Sequence, residues 1–180
     1  MGCSSMPVFK DNMYFNSDAI EEFNKMALKY HNNCRKKHNV PKLELSIKLC
    51  NKSQEILENL FTNNNYTNDR DNEYGENIYI SDDSNFDARK VENACKSWYQ
   101  EKKKYNFESN KYQNETGHFT QMVWKETKKI GFGYTKTDQG KTYFLALYEP
   151  CGNELFCFKD NVLVEEEKEK EKEKENKELI

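Results

Sequence analysis

Two runs in the C-terminal half, Ile130–Thr137 (IGFGYTKT) and Thr142–Tyr148 (TYFLALY), are joined through Asp138-Gln139-Gly140. Their period-two spacing and the glycine-bearing connection predict a β-hairpin. No other feature constrains the fold as much, because a lone hairpin is marginal in water and must be covered on its apolar face. The rest of the chain supplies the cover. Ser17 and Asp18 can cap a helix that carries Ile20, Phe23, Ala27, Tyr30 and Cys34 at three-to-four spacing and stops near His38–Val40, ahead of Pro41. A second helix over about Ser46–Phe61 presents Ile47, Cys50, Leu57, Leu60 and Phe61. Asn63–Glu73 is a polar loop, and Asn77–Ile80 predicts a short strand. Asp87 can cap a third helix bearing Val91, Ala94, Cys95 and Trp98, and a short helix is expected around His118–Trp124. Helices, a strand, more helices and a hairpin indicate an α+β domain in which helices cover a small antiparallel sheet.

A mean hydropathy of -1.10 and 33% charged residues suit a disordered chain, whereas 13% aromatic residues suit a packed one. The conflict resolves at Glu165. From there to Glu178 run eight Glu, five Lys and one Asn, which leaves 23 acidic and 23 basic residues for the body. A body so balanced gives no reason to expect a nucleic-acid partner. The expected organisation is a leader over residues 1–16, one domain over 17–161, and a charged tail over 162–180 that is disordered or a solvated single helix.

The first residues lack the apolar core of a signal peptide, being broken by Lys10, Asp11 and Asn12, and no stretch approaches the length of a membrane span. The six cysteines are therefore expected to be mostly reduced. Cys34, Cys50 and Cys95 fall on apolar helix faces and behave there as small hydrophobes. Met1-Gly2-Cys3-Ser4-Ser5 has the form of a myristoylation site at Gly2 beside a palmitoylatable Cys3, with Met6 where Ser or Thr is preferred. One acyl chain binds membranes only marginally, so Cys3 would supply the second anchor.

Gly117-His118-Phe119-Thr120-Gln121-Met122-Val123-Trp124-Lys125-Glu126-Thr127 matches, at every position, the first signature of the cysteine-rich secretory, antigen-5 and pathogenesis-related (CAP) family. Further segments fall in that family's order. His31-Asn32-Asn33-Cys34-Arg35 resembles its HNxxR helix, Gly75-Glu76-Asn77 its GEN motif, and Trp98-Tyr99-Gln100-Glu101 its WYxE helix. Tyr148-Glu149-Pro150-Cys151-Gly152-Asn153 resembles the second signature. Ala146 stands where secreted members carry a cysteine, a departure shared with the Golgi-associated, plant-pathogenesis-related branch, which is cytosolic and lipid-anchored. The resemblance spans about Ala19–Asn161 and implies a three-layer α-β-α sandwich.

It also implies a cleft. The family holds two histidines and two glutamates that can bind a divalent metal, and Glu76, Glu101 and His118 match three of them. The fourth position falls near Asn65, whose amide is a weaker zinc ligand than imidazole, so at most weak zinc binding is expected. The same three side chains can instead form a hydrogen-bonded cluster that needs no ligand, or an acid/base pair. Ser81 lies where some relatives are proposed to place a serine nucleophile, but the loop histidine that would activate it is the one replaced. His31 is expected to be a packed, hydrogen-bonded histidine and His38 a cation at a helix C-terminus. Trp98, Trp124, Phe119, Phe132 and Phe144 are expected in the core. The function implied is a non-enzymatic binding module on the cytoplasmic side of a Golgi or plasma membrane. Its implied partners are a membrane lipid or sterol, proteins, or a second copy of itself. A metal-dependent hydrolase and a secreted venom-allergen-like effector are the alternatives.

Overall fold

A computed structural model of the chain describes residues 17–62, 73–82, 90–137 and 140–165. Asn65, Asp87, the acylation residues Gly2 and Cys3, the hairpin tip Asp138-Gln139 and the tail beyond Glu165 lie outside the described residues.

The elements run α1 (Ser17–Lys37), β1 (Glu44–Leu45), α2 (Ile47–Thr62), β2 (Gly75–Ser81), α3 (Val91–Gln100), a 3-10 turn (Glu101–Lys104), α4 (Gly117–Val123), β3 (Lys129–Lys136), β4 (Thr142–Glu149) and α5 (Phe158–Asn161). The sheet order is β1-β3-β4-β2. The expected hairpin is present, with Lys129 opposite Glu149 and Lys136 opposite Thr142, and β2 adds antiparallel to the other edge of β4. The sheet is mixed rather than purely antiparallel, because β1 pairs in parallel with β3 through Glu44–Lys129 and Leu45–Ile130. Two residues are too few to leave an alternation signal.

β4 is buried on both faces, and its alternation decides which layer each side chain joins. Phe144, Ala146 and Tyr148 enter a large cluster with Phe23, Ala27, Cys95, Trp98, Phe119 and Trp124, beneath α1, α3 and α4. Leu145 and Leu147 face the other way and pack with Leu49 and Leu57 of α2. The result is the expected α-β-α sandwich. α2 lies tight against β3, since a Cβ on Gly131 or Gly133 would come within 3 Å of the α2 backbone. On the edge opposite β4, β3 has no strand neighbour beyond the two residues of β1 among the described residues, and α2 side chains take over: Phe132 N donates to Cys50 Sγ and Tyr134 N to Gln54 Oε1. The expected apolar face of α2 is wrong at its first residue, where Ile47 is 63% exposed. In α1 Ile20 is likewise exposed, while the polar His31 and Arg35 are fully buried.

Packing continues past Asn161, the expected end of the domain. Val162 is buried, Leu163 O accepts a bond from His38, and Glu165 pairs with Lys102 and Lys37. The described cysteines, Cys34, Cys50, Cys95, Cys151 and Cys157, are free thiols. No helix among the described residues is long and apolar enough to cross a membrane.

Candidate functional site: the Glu101–His118 cleft and the motifs around it

Trp98 and Glu101 stand three residues apart at the end of α3, which puts them on one side of the helix as it passes into the 3-10 turn. Trp98 is buried, donates Nε1–H to Ile78 O, and stacks with the His118 ring at a centroid distance of 6.0 Å. Glu101 reaches the start of α4. Its Oε2 accepts the backbone N–H of His118 (3.0 Å) and of Phe119 (3.1 Å), and Oε1 accepts Nδ1–H of His118 (2.6 Å). A carboxylate on the first N–H groups of a helix satisfies donors that have no intrahelical partner and complements the helix dipole. Thr116, the residue at the N-cap of α4, makes no side-chain capping bond, and Glu101 does this from another element. The pair is half-accessible, with side-chain exposures of 39% for His118 and 20% for Glu101. With Nδ1 donating to the carboxylate, Nε2 is the ring nitrogen left toward the cleft.

Glu76 does not complete a ligand set with this pair. It is exposed on β2 between the buried Gly75 and Asn77. Among the described residues no three His, Cys, Asp or Glu side chains are grouped to hold a metal ion. Both oxygens of Glu101 are already engaged by α4, which leaves His118 Nε2 as the donor of this pair open to a metal ion. Ser81, at the far end of β2, lines a small pocket with Tyr79, Lys90, Val91, Asn93 and Thr142, and none of its described lining residues is a histidine.

The other motif residues serve structure. His31 is fully buried. Its Nδ1 donates to Ala27 O (2.8 Å), since a carbonyl can only accept, so Nε2 must accept from Tyr148 Oη (2.9 Å). Tyr148 Oη in turn accepts from Asn77 Nδ2, which also donates to His118 O. Burial lowers the His31 pKa to about 4, with the Arg35 charge acting in the same direction and the Ala27 bond against it. The ring is neutral and links α1, β4, β2 and α4. Asn32 forms a two-bond bridge with Leu43, donating to its carbonyl and accepting its N–H, which delivers the chain into β1. Arg35, buried without a carboxylate partner, gives all its donors to carbonyls: Pro41, Met122, Trp124 and Thr127, with Lys125 at 3.5 Å. It therefore holds the turn between α4 and β3. Desolvation lowers its pKa to about 10.

The two signatures lock onto each other. Gln121 Oε1 accepts Gly152 N and its Nε2 donates to Thr127 Oγ1, which donates to Pro150 O. Any side chain at Gly75 would meet Gln121 Oε1 at 2.0 Å, so the glycine of the GEN motif makes room for the glutamine. Thr120 Oγ1 donates to Asn153 Oδ1, and Asn153 Nδ2 donates to Gly117 O. His38 departs from expectation. It is buried between Tyr99, Phe107 and Phe119, its pKa is lowered by that burial, and it is a neutral link rather than a helix-terminal cation. Arg35, Asn32, Tyr148 and Asn77 carry roles that spacing did not reveal. The available signal was Ala27, His31 and Arg35 at i, i+4 and i+8, one face of α1 that mixes polar and apolar residues.

The family model described as "CAP: Cysteine-rich secretory protein family" matches residues 28–148. Golgi-associated plant pathogenesis-related protein 1 of Homo sapiens is 37% identical over 151 residues, covering 81% of this chain and 95% of the human protein. Venom allergen 5 of Vespa velutina is 37% identical over 83 residues, 44% of this chain and 41% of the wasp protein. Among solved structures, venom allergen-like protein 4 of Schistosoma mansoni superposes with a TM-score of 0.60 at 25% identity, over 81% of this chain and 96% of that one. A model match from α1 to the end of β4, and a relative matched along nearly its whole length, agree with the interlocked motifs: this chain belongs to the cysteine-rich secretory protein (CAP) family.

Proposed function

We propose that this CAP domain is a non-enzymatic binding module held on the cytoplasmic face of a Golgi or plasma membrane, where it recognises lipid, sterol or protein partners, alone or as a homodimer. The observation that carries this reading is the commitment of Glu101. Its two oxygens take three bonds from α4, so the carboxylate is engaged in structure rather than poised for proton transfer. His31 is equally committed, being sealed in the core with both ring nitrogens bonded. The membrane assignment rests on the acylation pattern at Gly2 and Cys3 and on likeness to a protein described as Golgi-associated.

The body is charge-balanced and the tail acidic, so anionic lipid offers little extra attraction and attachment depends on both acyl chains. Fractionation of cells expressing wild-type, Gly2→Ala and Cys3→Ser proteins, in low and high salt, tests this. Gly2→Ala becomes soluble, Cys3→Ser partitions weakly, and salt barely moves the wild type. A membrane-bound Gly2→Ala protein, or glycosylated protein in the medium, overturns the cytoplasmic assignment and favours the secreted alternative.

One observation supports a subsidiary metal reading. His118 Nε2 has no hydrogen-bond partner among the described residues and its ring is 39% exposed, so weak zinc coordination there is proposed.

A further inference from the structure

We propose that Leu155 and Phe156 form a membrane-inserting tip, which enters the interface of a lipid bilayer and fixes how the domain stands on it. The tip rests on the proposed membrane attachment and adds to it a contact made by the folded domain itself. Among the described residues, Leu155 at 67% and Phe156 at 73% are the most exposed large apolar side chains. They are adjacent in the chain, so they form one patch rather than scattered surface residues. Phe156 also has a φ of 67°, a backbone region that bulky residues avoid.

The tip is firmly mounted. Phe158, two residues on, is fully buried and meets the Trp124 ring edge-on at 5.1 Å, which pins the base of the turn to the core. Cys157 N–H donates to Glu154 O (3.2 Å) and closes the turn around the apolar pair. Asn110 clamps it from the segment before α4: Nδ2 donates to Phe156 O and Oδ1 accepts Lys159 N–H, both at 2.9 Å. Asn161 Nδ2 donates to Cys157 O (3.0 Å). A fixed turn that holds two large apolar side chains in water, one of them on strained backbone, calls for a contact outside the chain.

A bilayer fits this tip better than a protein surface does. Acyl chains offer no hydrogen bonds, so a segment entering the interface must satisfy its own backbone, and Glu154 O, Phe156 O and Cys157 O already have protein donors. The exposed charges flanking the tip and its clamp are Glu154, Lys159, Asp160 and Lys111, whose signs cancel. Attraction there comes from apolar burial rather than from anionic lipid. A stable protein interface buries about 800 Å² on each partner, far more than two side chains ringed by charges provide. Insertion into a fluid interface needs no such area and no complementary partner.

The test uses the full chain with a myristoyl group at Gly2 and Cys3→Ser as the parent protein, on phosphatidylcholine vesicles. A single acyl chain holds only marginally, so a second contact registers clearly. In sedimentation, adding Leu155→Ser and Phe156→Asn should weaken partitioning about tenfold, the scale of losing partial burial of two apolar side chains, in low and high salt alike. Both side chains are exposed and asparagine tolerates the φ of position 156, so this variant folds. With Phe156→Trp, nitroxide-labelled lipid should quench the new indole, while the buried Trp98 and Trp124 of the parent stay unquenched. Gly2→Ala, which carries no acyl group, separates the tip from the anchor. If the parent binds, Gly2→Ala does not, and the tip variant binds as the parent does with an unquenched indole, the tip is overturned while acyl anchoring stands. Binding that survives Gly2→Ala but falls in the tip variant upholds the tip and overturns acyl anchoring. A parent protein that does not bind vesicles overturns both.

Discussion

Arg35 Nη1 lies 2.8 Å from the carbonyl oxygen of Trp124, a residue 89 positions further along the chain. The guanidinium is fully buried, and its fork of five donors meets carbonyls on both sides of the α4–β3 turn. Lysine keeps the charge but presents a point cation that cannot reach both sides. Arg35→Lys and Arg35→Met should each cost roughly 3 kcal/mol or more, because several buried carbonyls lose their donors. Urea unfolding gives the number directly. An Arg35→Lys protein within about 0.5 kcal/mol of wild type, the range of ordinary surface substitutions, would refute the assignment.

The buried His31 sets an acid limit on the fold. Its pKa is about 4 in the native chain and about 6.5 when unfolded, so the unfolded state binds the extra proton first. Stability is complete above about pH 6.5, declines as pH falls, and levels off below about pH 4, for a loss of roughly 3 kcal/mol from this group. The difference between wild type and His31→Gln, followed by urea midpoints from pH 7.5 to 4, isolates the histidine from the carboxylates. A difference that does not change with pH counts against a neutral, buried ring.

Glu101 should matter for the start of α4 whether or not a ligand ever enters the cleft. Glu101→Ala leaves the His118 and Phe119 N–H groups without their acceptor and removes a negative charge from the helix N-terminus. The expected cost is about 2 kcal/mol. Glu101→Gln retains an acceptor and should cost less. Hydrogen exchange at His118 and Phe119 reports the effect locally, and equal protection in wild type and Glu101→Ala would show that the carboxylate is not the cap.

Zinc affinity separates the cluster reading from the metal reading. Titration calorimetry should find weak binding by the wild type and tighter binding by Asn65→His, which supplies the second imidazole of the family pattern. His118→Ala should abolish whatever binding the wild type has. Tight wild-type binding that Asn65→His does not improve would mean that the ligands lie elsewhere.

The α+β class, the hairpin and the three longer helices were legible because they rest on local spacing, period two in IGFGYTKT and three-to-four spacing in α1, whereas the α-β-α layering was implied by the family resemblance carried by the signature from Gly117 to Thr127. Family membership was legible from the same run, since eleven specific residues in order are a local property too. Burial along β4 was harder to read. Phe144 and Leu145 are both apolar, and only the helices stacked on each face decide that one joins α1, α3 and α4 while the other joins α2. The same limit explains β1, whose two residues are a strand only because β3 bonds them and Asn32 fixes Leu43 just before them. Charge was least predictable. Local rules make His38 a helix-terminal cation, yet it is buried, as is Arg35, because their partners are carbonyls and rings contributed by segments distant in sequence. Sequence determines which groups can donate, accept or ionise. Tertiary structure determines how much water each one keeps, and the cost of removing that water decides which of them are charged, which are neutral, and which remain open to a ligand.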